Sequence, residues 1–321
     1  MPYTDLPLEL LRDYRPEVTE PRDFDDFWSG TLAESRAVGG EPVLSPAETP
    51  ITQLQIDDLT FPGFGGEPVR AWVVRPAAAS GPLPTVIEYN GYNGGRGLAG
   101  EKLLWAAAGY VHVFMDTRGQ GSGWGTGGDT PDPHGSGPAV EGFMTKGIDS
   151  PETYYYRRLY TDAVRLVDAV SGFDFVDESR LAVTGGSQGG GISLAVAGLV
   201  PGLRAVMPDV PFLCHFRRAV EATPEPPFTE LVRYLAVHRD VEQQVFSTLS
   251  YFDGVNFARR ATAPALFSVA LMDGIVLPST VFAAFNHYAG AHEIEVYPFN
   301  GHEGGQMHQW LRQAAWLPAQ L

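Results

Sequence analysis

Arg180-Leu181-Ala182-Val183-Thr184-Gly185-Gly186-Ser187-Gln188-Gly189, running on into Ile192-Ser193-Leu194-Ala195-Val196-Ala197-Gly198-Leu199-Val200, is the stretch that decides the fold. The apolar run before the glycines reads as a strand, and the small-residue run after them as a helix. A strand that reverses into a helix over so few residues needs a tight, strained turn. Glycines two before and two after the serine let neighbouring backbone approach it. The hydroxyl is then presented at the strand's C-terminal edge, where open α/β sheets bind ligands. The helix start adds free N–H groups and a partial positive charge. This is the pattern of a nucleophile elbow. The plainer alternative is a glycine-rich turn with a structural serine. A phosphate loop would call for G-x-G-x-x-G with an acidic partner or for G-K-[ST], and the chain has neither.

Strand and helix signals alternate outward from this point. Pro84–Gly91, Val111–Asp116, Arg204–Val210, Pro264–Asp273 and His292–Phe299 read as strands. Leu98–Ala108, Glu152–Val170, Ser279–Ala289 and Gly304–Leu317 read as helices. Gln53–Phe61 and Val69–Arg75 form a hairpin around Gly63, Gly65 and Gly66, after an amphipathic helix at Asp23–Ala37. The alternation predicts an α/β fold, with a mostly parallel central sheet, helices on both faces and right-handed crossovers. We expect one domain over residues 1–321, with an N-terminal extension over 1–50. A helical insertion at 212–263 carries a proline cluster at Pro224, Pro226 and Pro227.

An elbow predicts the chain order serine, acid, histidine, each at a strand end. Asp273 closes one β-rich run and precedes Gly274; His302 follows another, between Gly301 and Glu303. His302 would take the Ser187 proton, and Asp273 would hold the imidazole tautomer and stabilise its charged form. His112 falls inside a strand and reads as core. His134, His215, His238, His287, His292 and His308 lack a strand-end position, and Asp116 and Asp209 end strands at the wrong place in the order or too near the elbow. Glu303 is either a partner behind His302 or a plain surface acid. Two backbone amides should bind the oxyanion: that of Gln188, after the nucleophile, and that of Tyr92, in the loop Tyr89–Gly95. The alternative for that loop is an ordinary surface turn. The aromatic rings of Tyr92 and Trp124 could close the acyl pocket. Arg118 reads as a structural tie, and Tyr154–Arg158 as a packed helical turn. His302, Glu303 and His308 do not match the spacing of a helical zinc site.

Composition narrows the partners. The net charge of −16 over 321 residues argues against polyanions, so neither nucleic acid nor a membrane surface is expected. The single cysteine excludes an intrachain disulfide and suits a reducing compartment. No signal peptide and no membrane span are read from the sequence.

Together these motifs resemble a family. Asp23-Phe24-Asp25-Asp26-Phe27-Trp28, Arg118-Gly119-Gln120-Gly121, Gly186-Ser187-Gln188-Gly189-Gly190, Pro278-Ser279-Thr280 and Gly301-His302-Glu303 are similar to motifs of the acetyl xylan esterases and cephalosporin C deacetylases. That group is carbohydrate esterase family 7 of the α/β-hydrolase superfamily, and the likeness runs over nearly the whole chain. It implies Ser187, Asp273 and His302 as nucleophile, acid and base, and Tyr92 and Gln188 as oxyanion donors. It further implies short-acyl, chiefly acetyl, ester substrates on sugars or the cephalosporin side chain, perhydrolysis as a side activity, no cofactor, a cytoplasmic location and a homo-oligomer, commonly a hexamer. The sequence departs from the family at Asn90, where histidine is usual, and at Leu277, where a proline is frequent. The competing expectations are a peptidase or aminoacyl hydrolase of the same fold and a non-catalytic binding protein on it.

Overall fold

A computed structural model describes residue 3, residues 5–134 and residues 141–321. Among the described residues nine strands form one sheet: β1 (Val43–Pro46), β2 (Leu54–Pro62), β3 (Pro68–Pro76), β4 (Leu83–Tyr89), β5 (Val111–Met115), β6 (Val176–Gly186), β7 (Ala205–Asp209), β8 (Ala265–Ala270) and β9 (His292–Tyr297). Their order is β1-β2-β3-β5-β4-β6-β7-β8-β9. The first three strands run antiparallel to their neighbours, and everything from β5 to β9 is parallel. Eleven α-helices are described: α1 (Leu8–Leu11), α2 (Phe24–Val38), α3 (Leu104–Ala107), α4 (Tyr155–Ser171), α5 (Gln188–Leu199), α6 (Phe216–Ala222), α7 (Phe228–Val237), α8 (Glu242–Ser250), α9 (Gly254–Ala258), α10 (Pro278–His287) and α11 (Gln306–Trp316). Among the described residues no helix is long and apolar enough to cross a membrane.

Side chains alternate across a strand, so a sheet covered on both sides must feed two cores from adjacent residues. Ile87, Val183 and Phe267 join the larger core, with residues of α2, α4, α5, α9 and α10. Their neighbours Val86, Ala182 and Leu266 join a second core with Trp105, Trp316 and Leu317. Strands β7 and β8 are accordingly buried almost throughout, whereas β9, at the sheet edge, leaves His292 and Glu293 exposed.

One helix is much shorter than expected. Leu98–Ala108 was to be helical throughout, but only Leu104–Ala107 is. Gly97 and Gly100 take left-handed backbone angles, φ +65° and +109°, which a right-handed helix cannot accommodate. Trp72 Nε1 donates to the Gly97 carbonyl at 2.9 Å and holds the chain in that irregular path.

Four helices, α6 to α9, occupy the connection from β7 to β8. The last, α9, packs against α5 and α10 and so acts as the crossover helix. Residues Pro226 and Pro227, ahead of α7, reach the C-terminal edge of the sheet. Beyond the C-terminal end of β5, α4 is tied to the hairpin by buried charge. Arg118 donates to Asp162 at 2.5 and 2.7 Å and to Glu67 at 2.5 Å, and both Arg118 and Asp162 are almost fully buried. Asp162 also accepts from the Phe64 amide at 2.8 Å. The structural reading of Arg118 agrees with this geometry.

Removing one partner of such a pair strands the other in a dry environment. Arg118→Met is expected to lower unfolding free energy by about 3–5 kcal/mol, read by urea denaturation. The double variant R118M/D162L, which removes both charges, should lose less. An R118M chain as stable as the parent would show that Asp162 does not depend on this partner.

Candidate active site

The turn after β6 places Ser187 at φ +56°, ψ −118°, a conformation rare for any residue with a side chain. Such strain costs about 1–3 kcal/mol and persists only where the surroundings impose it. Here they do. The Ser187 amide donates to the Asp209 carbonyl at 2.9 Å, and its own carbonyl accepts from Phe212 and Gly191 at 2.9 and 3.1 Å. Gly185 and Gly189 are required by space: a Cβ on Gly185 would lie 2.5 Å from the Gly189 backbone, and one on Gly189 would run into the Tyr89 carbonyl.

Asp273 follows β8 and is completely buried. Its Oδ1 accepts from the amides of Ile275 and Val276 at 2.8 and 2.9 Å, which leaves Oδ2 to face His302 Nδ1 at 2.8 Å. His302 follows β9, and its Nε2 lies 3.0 Å from Ser187 Oγ. Three side chains separated by up to 115 residues thus form one hydrogen-bonded line. An imidazole so placed can accept the serine proton while the carboxylate compensates the charge it acquires.

Gln188 is the first residue of α5, so its amide has no partner within the helix. The Gln188 side chain is held from three sides: Nε2 donates to the Asn90 carbonyl at 3.3 Å, and Oε1 accepts from Gln120 Nε2 and the Tyr156 hydroxyl, each at 3.0 Å. The loop after β4 is closed by Asn90, whose Oδ1 accepts from the Gly91 amide at 2.9 Å and whose Nδ2 donates to the Gly95 carbonyl at 2.5 Å. Among the described residues, neither the Tyr92 nor the Gln188 amide is spent on another acceptor.

Trp124 Nε1 donates to the Tyr92 carbonyl at 2.8 Å, and its ring covers Gly91 and Gly94. A Cβ on Gly94 would collide with that ring, so the close fit depends on glycine. Ser187, His302, Tyr92 and Trp124 line a cavity of about 250 Å³ together with Pro226, Pro227, Ile275 and Glu141. This is smaller than the roughly 300–1,000 Å³ usual for drug-sized ligands.

Several other readings can be placed. His112 is buried within β5, its Nε2 3.0 Å from Glu88. Glu303 is exposed and accepts from Asn300 at 3.1 Å, the surface alternative of the two considered. Asp116 organises its own loop by accepting from the amides of Arg96, Thr117, Asp129 and Thr130. The sequence reading did not single out Gln120 as a contact of the site, although it stands in the Arg118–Gly121 string. It also missed Ile275, Glu141 and Glu230, for which no local pattern exists.

A family model of acetyl xylan esterases matches residues 1–320. An acetyl xylan esterase from Paenibacillus sp. R4 is 40% identical, with a TM-score of 0.92 over 98% of this chain and 100% of its own. Acetyl xylan esterase 1 from Thermoanaerobacterium sp. JW/SL YS485 is 34% identical, with a TM-score of 0.89 over 98% of this chain and 99% of its own. An acetyl esterase of Xylanibacter ruminicola is 26% identical over 331 aligned positions, which span 92% of this chain and 65% of that curated relative.

Asp209, at the end of β7, is a second acid beside the elbow. It pairs with the Ser268 hydroxyl rather than with His302. Burial pushes its carboxyl up to about 6, against the opposing pull of Ser268 and the His302 charge. An acid raised in the fold stabilises it fully below the unfolded value of about 4 and loses that contribution as pH climbs through about 6. Asp209→Asn should therefore gain melting temperature over the parent at about pH 8 and little at about pH 4, by calorimetry. A difference of equal size at both would count against a carboxyl raised by burial.

Proposed function

The chain belongs to the acetyl xylan esterase family, and on that premise we propose that it is a serine carboxylesterase removing acetyl groups from sugars, xylo-oligosaccharides or cephalosporin-type esters. The single observation that carries the mechanism is the continuous line from Ser187 Oγ through His302 to Asp273, at 3.0 and 2.8 Å. Ser187 attacks the ester carbonyl as His302 Nε2 takes its proton. The tetrahedral oxyanion forms between the amides of Tyr92 and Gln188, which stabilise charge present only near the transition state. His302 then protonates the leaving alkoxide, and the acetyl group remains on Ser187. Water, deprotonated by His302, attacks the acyl carbonyl and releases acetate.

Acyl preference follows from the walls. Tyr92, Trp124, Pro226, Pro227 and Ile275 leave a short apolar space beside Ser187, enough for an acetyl group and unfavourable for a long chain. Trp124 is both half-exposed and hydrogen-bonded to the oxyanion loop, so it supports the loop and bounds the pocket. A cytoplasmic location and a homo-oligomer, in the hexameric form, complete the reading. The buried free Cys214 is compatible with the first.

The test is a hydrolysis panel of acetyl, butyryl and octanoyl esters, acetylated xylo-oligosaccharide, cephalosporin C and a peptide amide. Acetyl esters should exceed octanoyl esters in kcat/KM by about tenfold or more, taking two or more buried methylenes at ~0.8 kcal/mol each as the excluded group. Ser187→Ala should lose fluorophosphonate labelling and lower kcat by about 10⁴-fold or more. Octanoyl turnover matching acetyl turnover would overturn the short-acyl assignment, and an active S187A chain would overturn the serine mechanism. Sedimentation equilibrium should return a mass near six chains, and a monomer would remove the hexamer.

A further inference from the structure

One half-buried carboxylate beside the site has no role in the steps above. Glu230 lies on α7, 138 residues from the loop it touches, and its Oε1 accepts from the Tyr92 hydroxyl at 2.6 Å. The Oε2 atom of Glu230 accepts from the Met144 amide at 3.1 Å. The Tyr92 hydroxyl in turn accepts from the Phe143 amide at 3.1 Å. Among the described residues no lysine, arginine or histidine pairs with Glu230. An acid left without a cation in a half-buried place is costly, and burial indeed raises its carboxyl above the ordinary range. A cheaper residue would serve if the only task were to fill space.

Its position explains the expense. Tyr92 is clamped at both ends: Trp124 holds its carbonyl at 2.8 Å and Glu230 holds its hydroxyl. Edge-to-face contacts with Phe143 and Phe212, at 5.7 and 6.2 Å between centroids, restrict the ring between those ends. A residue fixed at its carbonyl and at the tip of its side chain has little freedom left at its amide. Preorganised donors stabilise a developing oxyanion because they need no reorientation at the moment of reaction.

We propose that Glu230 is a positioning residue for the oxyanion site, acting through the Tyr92 hydroxyl to keep the Tyr92 amide aimed at the space beside Ser187. The proposal rests on the reading of Tyr92 as an oxyanion donor. It also gives the helical connection a task in catalysis, because α7 supplies the far anchor of a loop that follows β4. No atom of Glu230 touches the reacting groups; its effect passes through the tyrosine ring.

The experiment compares Tyr92→Phe, Glu230→Gln, Glu230→Ala and the double variant Y92F/E230A with the parent on an acetyl ester. Y92F and E230A should each lower kcat about tenfold to a hundredfold while KM moves less than about threefold. That loss falls short of the ~10²–10³ expected when an oxyanion donor is removed outright. The affinity of an acetyl-sized trifluoromethyl ketone, which forms a tetrahedral adduct, should fall by the same factor as kcat. Y92F/E230A should be no worse than the poorer single variant, because both break one tether. E230Q keeps one acceptor oxygen and should recover part of kcat. A purely structural role would instead lower melting temperature while ketone affinity per folded molecule stayed at the parent level, and that result would overturn the proposal. So would additive losses in the double variant, or kcat within twofold of the parent in Y92F. Full activity in S187A would remove the serine reading itself, an outcome distinct from all of these.

Discussion

Everything at the site depends on the backbone of Ser187 being held at positive φ. Relaxed, the residue would turn its hydroxyl away from the sheet edge and continue β6 or α5 without a corner. The strained form survives because each of its backbone groups is engaged: its amide by the Asp209 carbonyl, its carbonyl by the amides of Phe212 and Gly191. The glycines at 185 and 189 contribute by lacking a side chain where two backbones meet. The same corner starts α5, so the Gln188 amide is left without an intrahelical partner at the point where negative charge would develop.

From that corner the constraint spreads through polar contacts rather than through apolar packing. Gln188 is held by Gln120 and Tyr156, and Gln120 Oε1 also accepts from the Asn93 amide at 2.6 Å. One glutamine therefore links the elbow to the loop after β4. The Tyr155 hydroxyl donates to the Arg118 carbonyl at 2.5 Å, and Arg118 is fastened to Asp162 on α4 and Glu67 on the hairpin. The antiparallel strands that precede the parallel sheet are thereby coupled to the geometry beside Ser187. This is a reason for a sheet edge with no apparent chemistry to carry buried charge. A satisfied polar network inside a low-dielectric interior is stiff, and loss of one member leaves the others exposed to the full desolvation penalty.

What could be read from the chain divides along the range of the interaction. The elbow was legible because the strand, the glycines, the serine and the helix are contiguous. The meeting of Asp273 and His302 with Ser187 is legible because the topology brings two later strand ends to the elbow, and both residues lie beside glycine there. Gln120 stands inside the Arg118–Gly121 string, yet its contact with Gln188 spans 68 residues and has no periodic signature. Glu230 was invisible for the same reason: on α7 it looks like an ordinary first-turn acid. The region Leu98–Ala108 misled in the other direction. Its apolar spacing suits a helix, but Gly97 and Gly100 take angles that tertiary contacts stabilise and local propensity does not foresee.

Asp273 and Asp209 show how two similar acids at adjacent strand ends are separated by their donors. Asp273 gathers two backbone amides on one oxygen and an imidazole on the other, three N–H groups in a space closed to water. That set fixes one oxygen on the backbone and leaves the other directed at the imidazole. Among the described residues Asp209 has only the Ser268 hydroxyl on its carboxylate, and burial raises its carboxyl to about 6. Had His302 turned toward Asp209, its Nε2 would no longer be directed at Ser187 by a carboxylate fixed on the far side of the ring. The turn Asp273–Val276, with both of its amides folded back onto Oδ1, thus selects which acid the histidine meets. Chain order alone would leave that choice open, since both acids follow strands of the same sheet. The selection lies in backbone N–H groups, which no side-chain pattern records.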